Sequence, residues 1–433
     1  MELVELEKDI YEEFVLNNKY KSHFLQSHVW GEFSKLEKRL NPYYLGLKNN
    51  NKIVATALLL EKKLPLGYSY FYSPRGFVLD FNDKEILTTF TKKIIEYIKS
   101  KKAIFLKIDP DIIKNRYDYL DNEVLVDNVD CIFDNIISCG FKHLGFTKNF
   151  ETMQPRYTFR IDLKQDIDSI FDHFSKSTKQ RIKKAEKLGC EVIIGSEADI
   201  DTFYHLMTLT EERKDFVSYS KKYYETQYKL LNKKNMATLF LGKVNTTKIL
   251  NNLEIELKEV EKEIEKIDKS NLSKSSKSKL NNLNNKLEKI KNDISKYTKY
   301  KNEYGEEIVL NAHMIINYGN KAWVLYAGNN NILTESNANY LTYYEHIKHF
   351  KEKGIEIYDQ FGTIGDLSKD NPRLGLHEFK KKFGGDYVEF LGEFDYIIKP
   401  FMYFVFTKLI PFYRKIVRKK GRREISNEVN RNK

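Results

Sequence analysis

Three groups of residues in this chain are spaced to do chemistry. The first is a lysine run, Lys380, Lys381 and Lys382, which follows Phe379 inside the glycine-flanked stretch Gly375-Leu376-His377-Glu378-Phe379-Lys380-Lys381-Lys382-Phe383-Gly384-Gly385. A lysine fixed beside a carbonyl under attack stabilises the oxyanion, and a neighbouring ring can stack on a nucleobase. Three lysines in a row equally describe a face that only meets solvent. The second is Asp109, which closes Phe105-Leu106-Lys107-Ile108-Asp109-Pro110. A carboxylate at the carboxyl end of a strand can hold or deprotonate an ammonium, while aspartate before proline is also a common turn former. The third is Lys176, Lys179, Lys183 and Lys187, a stripe at helical spacing with Ile182 and Ala185 facing elsewhere. Such a stripe neutralises a nucleic-acid backbone, or is a solvated face.

Charge marks where a polyanion would bind. The chain has 433 residues and a net charge of +12, of which Ser175–Lys187 carries +5 and Lys399–Arg423 carries +9, leaving the remainder near neutral. Two cationic patches on a neutral body look for phosphate. With 41% apolar and 14% aromatic residues, the chain is an ordered protein of more than one domain. No run approaches the roughly 18 apolar residues of a membrane span, and the acidic start Met1–Asp9 is unlike a secretory leader, so the body is expected in the cytosol. Cys131, Cys139 and Cys190 are read as reduced thiols. No phosphate-binding P-loop or dinucleotide glycine fingerprint occurs. The nearest approach to an acyl-coenzyme A loop, Arg418-Lys419-Lys420-Gly421-Arg422-Arg423, fails at its last position. His346 and His349 beside Glu345 lack a third ligand and read as surface histidines, so no metal is expected.

The positioning elements follow an α/β pattern. Ile53–Leu60 and Ala103–Ile108 read as buried strands around a helix near 84–101. Helices near 167–188 and 200–213 precede a strand at 237–244, whose partners resume only at 308–316 and 322–328. The interruption contains neither glycine nor proline from Lys243 to Tyr304. Its apolar residues keep heptad steps, first through Ile249, Leu253, Leu257, Val260, Ile264 and Ile267, then through Leu280, Leu283, Leu287, Ile290, Ile294 and Tyr297. Two helices joined through the polar stretch Ser270–Ser278 should therefore fold back antiparallel as a coiled-coil arm of roughly 30 Å. The arm is a spacer or dimerisation device, or a lever against a large partner such as a folded RNA. In the tail, Phe401, Phe404, Val405, Leu409, Phe412 and Ile416 recur near helical spacing, with Pro411 as a kink and a basic run behind. That is a segment suited to an anionic bilayer, unless its aromatic side packs on the first domain.

Taken in order, these elements resemble the Fem family of tRNA-dependent peptidoglycan aminoacyltransferases, the FemA, FemB, FemX and MurM group. The resemblance is carried by Phe24-Leu25-Gln26-Ser27 followed by Trp30-Gly31, by the basic helix Ser175–Ala185, by the arm, and most specifically by Tyr358-Asp359-Gln360-Phe361-Gly362-Thr363-Ile364-Gly365 with the lysine-containing stretch after it. It implies an α/β fold of two GNAT-like (acyl-CoA N-acyltransferase-like) domains, at 1–162 and at 163–244 with 304–390. The coiled-coil arm would occupy 245–303, and a return segment with the basic tail 391–433. It further implies transfer of glycine, alanine or serine from aminoacyl-tRNA, a co-substrate with no other cofactor, to the stem-peptide amine of a peptidoglycan precursor, lipid II by preference.

The resemblance also implies roles. Lys380 becomes the catalytic cation and Phe379 the stacking partner of the terminal adenine. Asp109 meets the acceptor amine, and Lys176, Lys179, Lys183 and Lys187 meet tRNA. Tyr326 matches a tyrosine that contacts muropeptide phosphates. Two positions depart from the pattern: the family's muropeptide-binding lysine falls near Glu32 or Lys35, and its phosphate-binding arginine aligns with Tyr219, leaving Lys35 and Arg213 as substitutes. The implied location is the inner face of the cell membrane, with the tail touching lipid, in a homo- or hetero-oligomer with related transferases. The alternatives are a non-peptidoglycan acceptor and a non-catalytic tRNA-binding protein.

Overall fold

The computed structural model describes residues 1–18, 23–214, 218–267 and 273–412, and the chain divides into two compact units. Unit 1 comprises 1–162, 317–322 and the described residues from 359 onward; unit 2 comprises 163–316 and 323–358. The stretch 359–390, read from sequence as the end of the second domain, thus clusters with the first. The reason is strand pairing across long separations: Asp386–Phe390 lies between Tyr157–Asp162 and Ile113–Tyr117, antiparallel to both.

A seven-stranded sheet within unit 1 runs, in spatial order, Glu2–Glu5, Asn41–Asn49, Lys52–Lys63, Ser69–Ser73, Ala103–Ile108, Phe394–Ile397 and Phe141–His143. Ser69–Ser73 and Ala103–Ile108 are parallel. The crossover between them is the helix Lys84–Ser100, capped by Asp83, whose carboxylate accepts the Ile86 amide. Leu87, Phe90, Ile94 and Ile98 sit three and four residues apart on that helix and are fully buried against Leu45, Leu59, Phe71 and Leu106 of the sheet. This core leaves Asp109 at the carboxyl end of a central strand.

The opening motif proves to be a bracket. Gln26, wholly buried, accepts from the Leu58 amide (2.9 Å) and donates to the Pro74 carbonyl (2.6 Å), and Ser27 caps the helix His28–Lys38 by accepting from the Trp30 amide.

The strands Cys190–Ile194, Ala237–Asn245 and Glu307–Tyr318 are antiparallel neighbours, followed in the sheet by Lys321–Asn329, and all but residues 317, 318, 321 and 322 of them belong to unit 2. Between the second and third stand the helices Thr246–Glu265 and Lys274–Tyr304. At their base Thr246 donates its amide to Glu306 O (2.8 Å) and its hydroxyl to Gly305 O (3.1 Å). Midway along, Lys286 pairs with Glu256 at 2.8 Å, so the chain runs out and back. Ile249, Val260, Ile290 and Tyr297, all heptad positions, are buried. The second helix begins earlier than the composition suggests, at Lys274. Ser273 accepts the Ser276 amide as its cap, which brings Lys274–Ser278 into the helix rather than the connection. The connecting residues 268–272 and the basic tail 413–433 lie outside the described residues.

Two further expectations change. His346 is not a surface histidine: it is fully buried, with Nδ1 3.0 Å from the Tyr358 hydroxyl and its ring 5.1 Å from His313. Burial pushes the pKa of both imidazoles down, and a charge on His313 would further disfavour one on His346. The irregularity expected at Pro411 falls just before it, as a π turn at Val405–Leu409. Proline has no amide to offer the residue four back and its ring crowds that carbonyl, so the wider turn absorbs the mismatch.

Candidate active site

The helix Leu374–Lys381 turns His377 and Lys380 inward from positions three apart, while Lys381 stays outside, paired with Asp121 at 2.6 Å. Lys380 is 5% exposed. Its ammonium enters a turn built by Asp359-Gln360-Phe361-Gly362. Asp359 accepts the Phe361 amide (2.8 Å), and Phe361 and Gly362 adopt left-handed backbone (φ 48° and 67°), which converges three successive carbonyls. Lys380 Nζ donates to the carbonyls of Gln360 (2.7 Å), Gly362 (2.6 Å) and Phe361. Gln360 reciprocates by donating Nε2 to the Lys380 carbonyl at 3.1 Å. Burial pulls the lysine pKa down to about 7, against the pull of Asp359, so the amine can gain or lose a proton at neutral pH. Phe379, next along the helix, is half-buried with its ring edge-on to Phe383 at 5.3 Å.

Behind the turn lies an ionic network that sequence reasoning missed. Arg160 donates to Asp359 (2.8 Å) and Asp111 (2.7 Å), and Lys321 donates to the other Asp111 oxygen (2.8 Å). Lys321 and Asp111 are each about 2% exposed at the side chain. Burial alone would raise Asp111, yet Arg160 and Lys321 hold its carboxyl well below the usual range. The signal was available: Arg160 sits inside the apolar strand Tyr157–Asp162, where a cation requires an acidic partner.

Asp109 is 2% exposed and accepts the Arg75 amide at 2.7 Å and the Tyr72 hydroxyl at 3.0 Å. Burial pushes its pKa up to about 7, with Arg75 opposing. No hydrogen bond or ion pair among the described residues joins Asp109 to Lys380. The raised value has a thermodynamic consequence. The folded state holds a proton on Asp109 that the unfolded chain releases near the ordinary aspartate range of about 4, so this stability is full below that range and is lost as pH rises towards 7. Lys380 acts in a separate window, because its lowered pKa relieves a penalty only as pH rises above about 7. Asp109→Asn should therefore gain stability relative to wild type between pH 5 and pH 7, read as the difference in urea midpoints. Parallel midpoints at both pH values would remove the buried-acid assignment.

In unit 2 the structure brings Tyr326 and Tyr219 together, ring centroids 6.3 Å apart, while Tyr219 stacks flat on Tyr223 at 3.9 Å. Arg213 donates to the side-chain oxygen of Asn331. Gly328 admits no Cβ, since one would meet Leu206 and Met207 backbone under 3.0 Å. On the helix Lys176–Leu188, Thr178, Ile182 and Ala185 are buried, and Lys176, Lys183 and Lys187 are exposed. Lys179 is partly spent, paired with Asp172 at 2.8 Å. In unit 1, Lys35 lies on the helix His28–Lys38 and is exposed.

Comparison with known proteins follows this geometry. Residues 6–410 match the FemAB family. The chain is 30% identical over 411 residues to a lipid II:glycine glycyltransferase of Staphylococcus epidermidis, and 30% identical over 418 residues to the protein of that name from Staphylococcus aureus, in each case over 92% of this chain and 96% of the relative. The crystal structure of FemX superposes with a TM-score of 0.77 at 29% identity, over 93% of this chain and 99% of that one. With its α/β scaffold matched over residues 6–410 and relatives at 30% identity along nearly their whole length, this chain belongs to the FemAB family of transferases.

Proposed function

We propose that this protein moves glycine from charged tRNA to the stem-peptide amine of lipid II, building the peptide bridge of peptidoglycan at the inner face of the membrane. The relatives' shared name supports the acceptor and the amino acid. The observation that carries the reading is Lys380, a buried lysine beside Phe379 whose Nζ is held by the carbonyls of Gln360, Phe361 and Gly362, with burial pulling its pKa down. In the reaction the acceptor nitrogen attacks the ester carbonyl, the C–O bond to the ribose breaks, and the proton lost by nitrogen ends on the ribose oxygen. An ester becomes an amide, so no nucleotide hydrolysis is needed. Lys380 exchanges one of its three carbonyl partners for the oxyanion and passes a proton to the departing oxygen. Asp109 holds the incoming ammonium and accepts its first proton once ionised. Tyr326, Tyr219 and Arg213, all of unit 2, bind the acceptor headgroup.

The test mixes tRNA charged with radiolabelled glycine, alanine or serine with purified lipid II and seeks the new amide by mass spectrometry. Glycine transfer is expected; tRNA binding with no transfer of any of the three would leave a non-catalytic RNA-binding protein. The lysine stripe is tested separately. Reversing Lys176, Lys183 and Lys187 to glutamate should weaken tRNA binding and flatten the salt dependence, with the slope falling by roughly 0.7 to 0.9 for each phosphate no longer neutralised. An unchanged slope in a filter-binding titration would take tRNA off this helix.

A further inference from the structure

A short helical segment at the end of the described chain exposes what a soluble surface normally hides. It runs from Pro400–Phe404 through the π turn Val405–Leu409 to residue 412. Phe401, Phe404, Leu409 and Phe412 are 75%, 51%, 46% and 65% exposed. Phe401, Phe404, Lys408 and Phe412 follow one another at steps of three, four and four, so they share one face. The opposite face is fixed: Tyr403 donates its hydroxyl to Asp395 (2.7 Å) and sets its ring edge-on to Phe105 at 5.3 Å. The aromatic side therefore does not pack on the first domain; it is the side held outward.

Charge indicates the occupant. The sequence directly after this face reads Tyr413-Arg414-Lys415-Ile416-Val417-Arg418-Lys419-Lys420-Gly421-Arg422-Arg423, with seven basic residues and no acid. Lys408, within the aromatic stripe, carries a long apolar stem that lets its amine reach a headgroup while its neighbours lie deeper. No helix among the described residues is long and apolar enough to cross a membrane. Exposed rings next to a basic run answer to a surface that is apolar below and anionic above.

We propose that the Phe401–Phe412 face is an interfacial anchor, sinking its phenyl rings into the headgroup region of an anionic bilayer. Delivery of the site to a lipid-linked acceptor rests on the function proposed above; the anchor itself does not, and it is measured without either substrate.

The full chain is titrated with vesicles of phosphatidylcholine alone and with added phosphatidylglycerol, and binding is followed by co-sedimentation. Binding to the anionic vesicles is expected, with a loss of about 100-fold or more in Phe401→Ser/Phe404→Ser/Phe412→Ser. A conservative variant, Phe412→Trp, should keep binding and show a blue-shifted emission quenched by brominated lipid. Failure of wild type to bind anionic vesicles, or equal binding by the triple variant, would overturn the proposal. So would a concentration-dependent dimer abolished by the same substitutions, which would assign the face to a second copy. Transfer to an acceptor lacking its lipid tail should be the same in the triple variant and wild type. Loss of transfer in both would count against the proposed reaction and not against the anchor.

Discussion

Replacing Lys380 with methionine is expected to lower aminoacyl transfer by about 10³-fold, the scale lost when a preorganised donor to an oxyanion is removed. The methionine keeps most of the length of the side chain and deletes its charge, leaving the carbonyls of Gln360, Phe361 and Gly362 without their donor. Some stability will go with it, since inward carbonyls left unpaired cost roughly 1–3 kcal/mol each where water does not reach them. Lys380→Arg should fail almost as badly although it retains the charge, because a planar guanidinium cannot converge on three carbonyls grouped about one point. The two contributions separate through chemical rescue. In Lys380→Ala, added small amines should restore part of the rate, and the restored rate should vary with the amine's pKa if a proton moves in the rate-limiting step. Transfer within tenfold of wild type in a folded Lys380→Met enzyme would reduce this residue to a prop for the turn.

Arg160→Met should be the most damaging substitution away from the reacting groups, with about 3–5 kcal/mol of stability lost, because it strands two carboxylates in a buried place. Asp359 loses its 2.8 Å partner and Asp111 is left with Lys321 alone. The result is read as a fall in the urea midpoint at unchanged slope. Arg160→Met/Asp359→Asn should recover part of the loss, and that coupling distinguishes a broken ion pair from a simple packing defect. Transfer should also fall, since Asp359 shapes the turn that receives Lys380. A midpoint unmoved by Arg160→Met would mean that the network is electrostatically neutral to folding.

What could be read in the sequence divides along physical lines. Elements with a strong local period were legible to within a few residues: the strand Ala103–Ile108, the helix Lys84–Ser100 and the inserted helices all announce themselves through spacing. Lys380 could be picked out through its glycine-flanked motif, but not its inward direction, because three adjacent lysines look alike until a helix assigns them to faces. Asp109 was visible as a strand end; its burial against Tyr72 and Arg75 depends on residues more than thirty positions away. The placement of 359–390 and the Asp111–Arg160–Asp359 network were hidden for the same reason, being products of pairing between segments far apart in the chain, with Arg160 and Asp359 separated by 199 residues. His346 misled because the pairing with Glu345 and His349 drew the eye, whereas Tyr343, Ile347 and Phe350 mark its side of the helix as buried and its partners Phe240, His313 and Tyr358 come from other elements.

The helical insertion has a kinetic meaning. The strands Ala237–Asn245 and Glu307–Tyr318 are separated by about sixty residues, a distance that would ordinarily make their pairing a slow search through chain space. The intervening helices can zip along one another within microseconds of nucleating, and the clasp of Thr246 on Gly305 and Glu306 then delivers the two strands already side by side. What looks like a long-range pairing behaves as a tight hairpin whose turn happens to be made of helix.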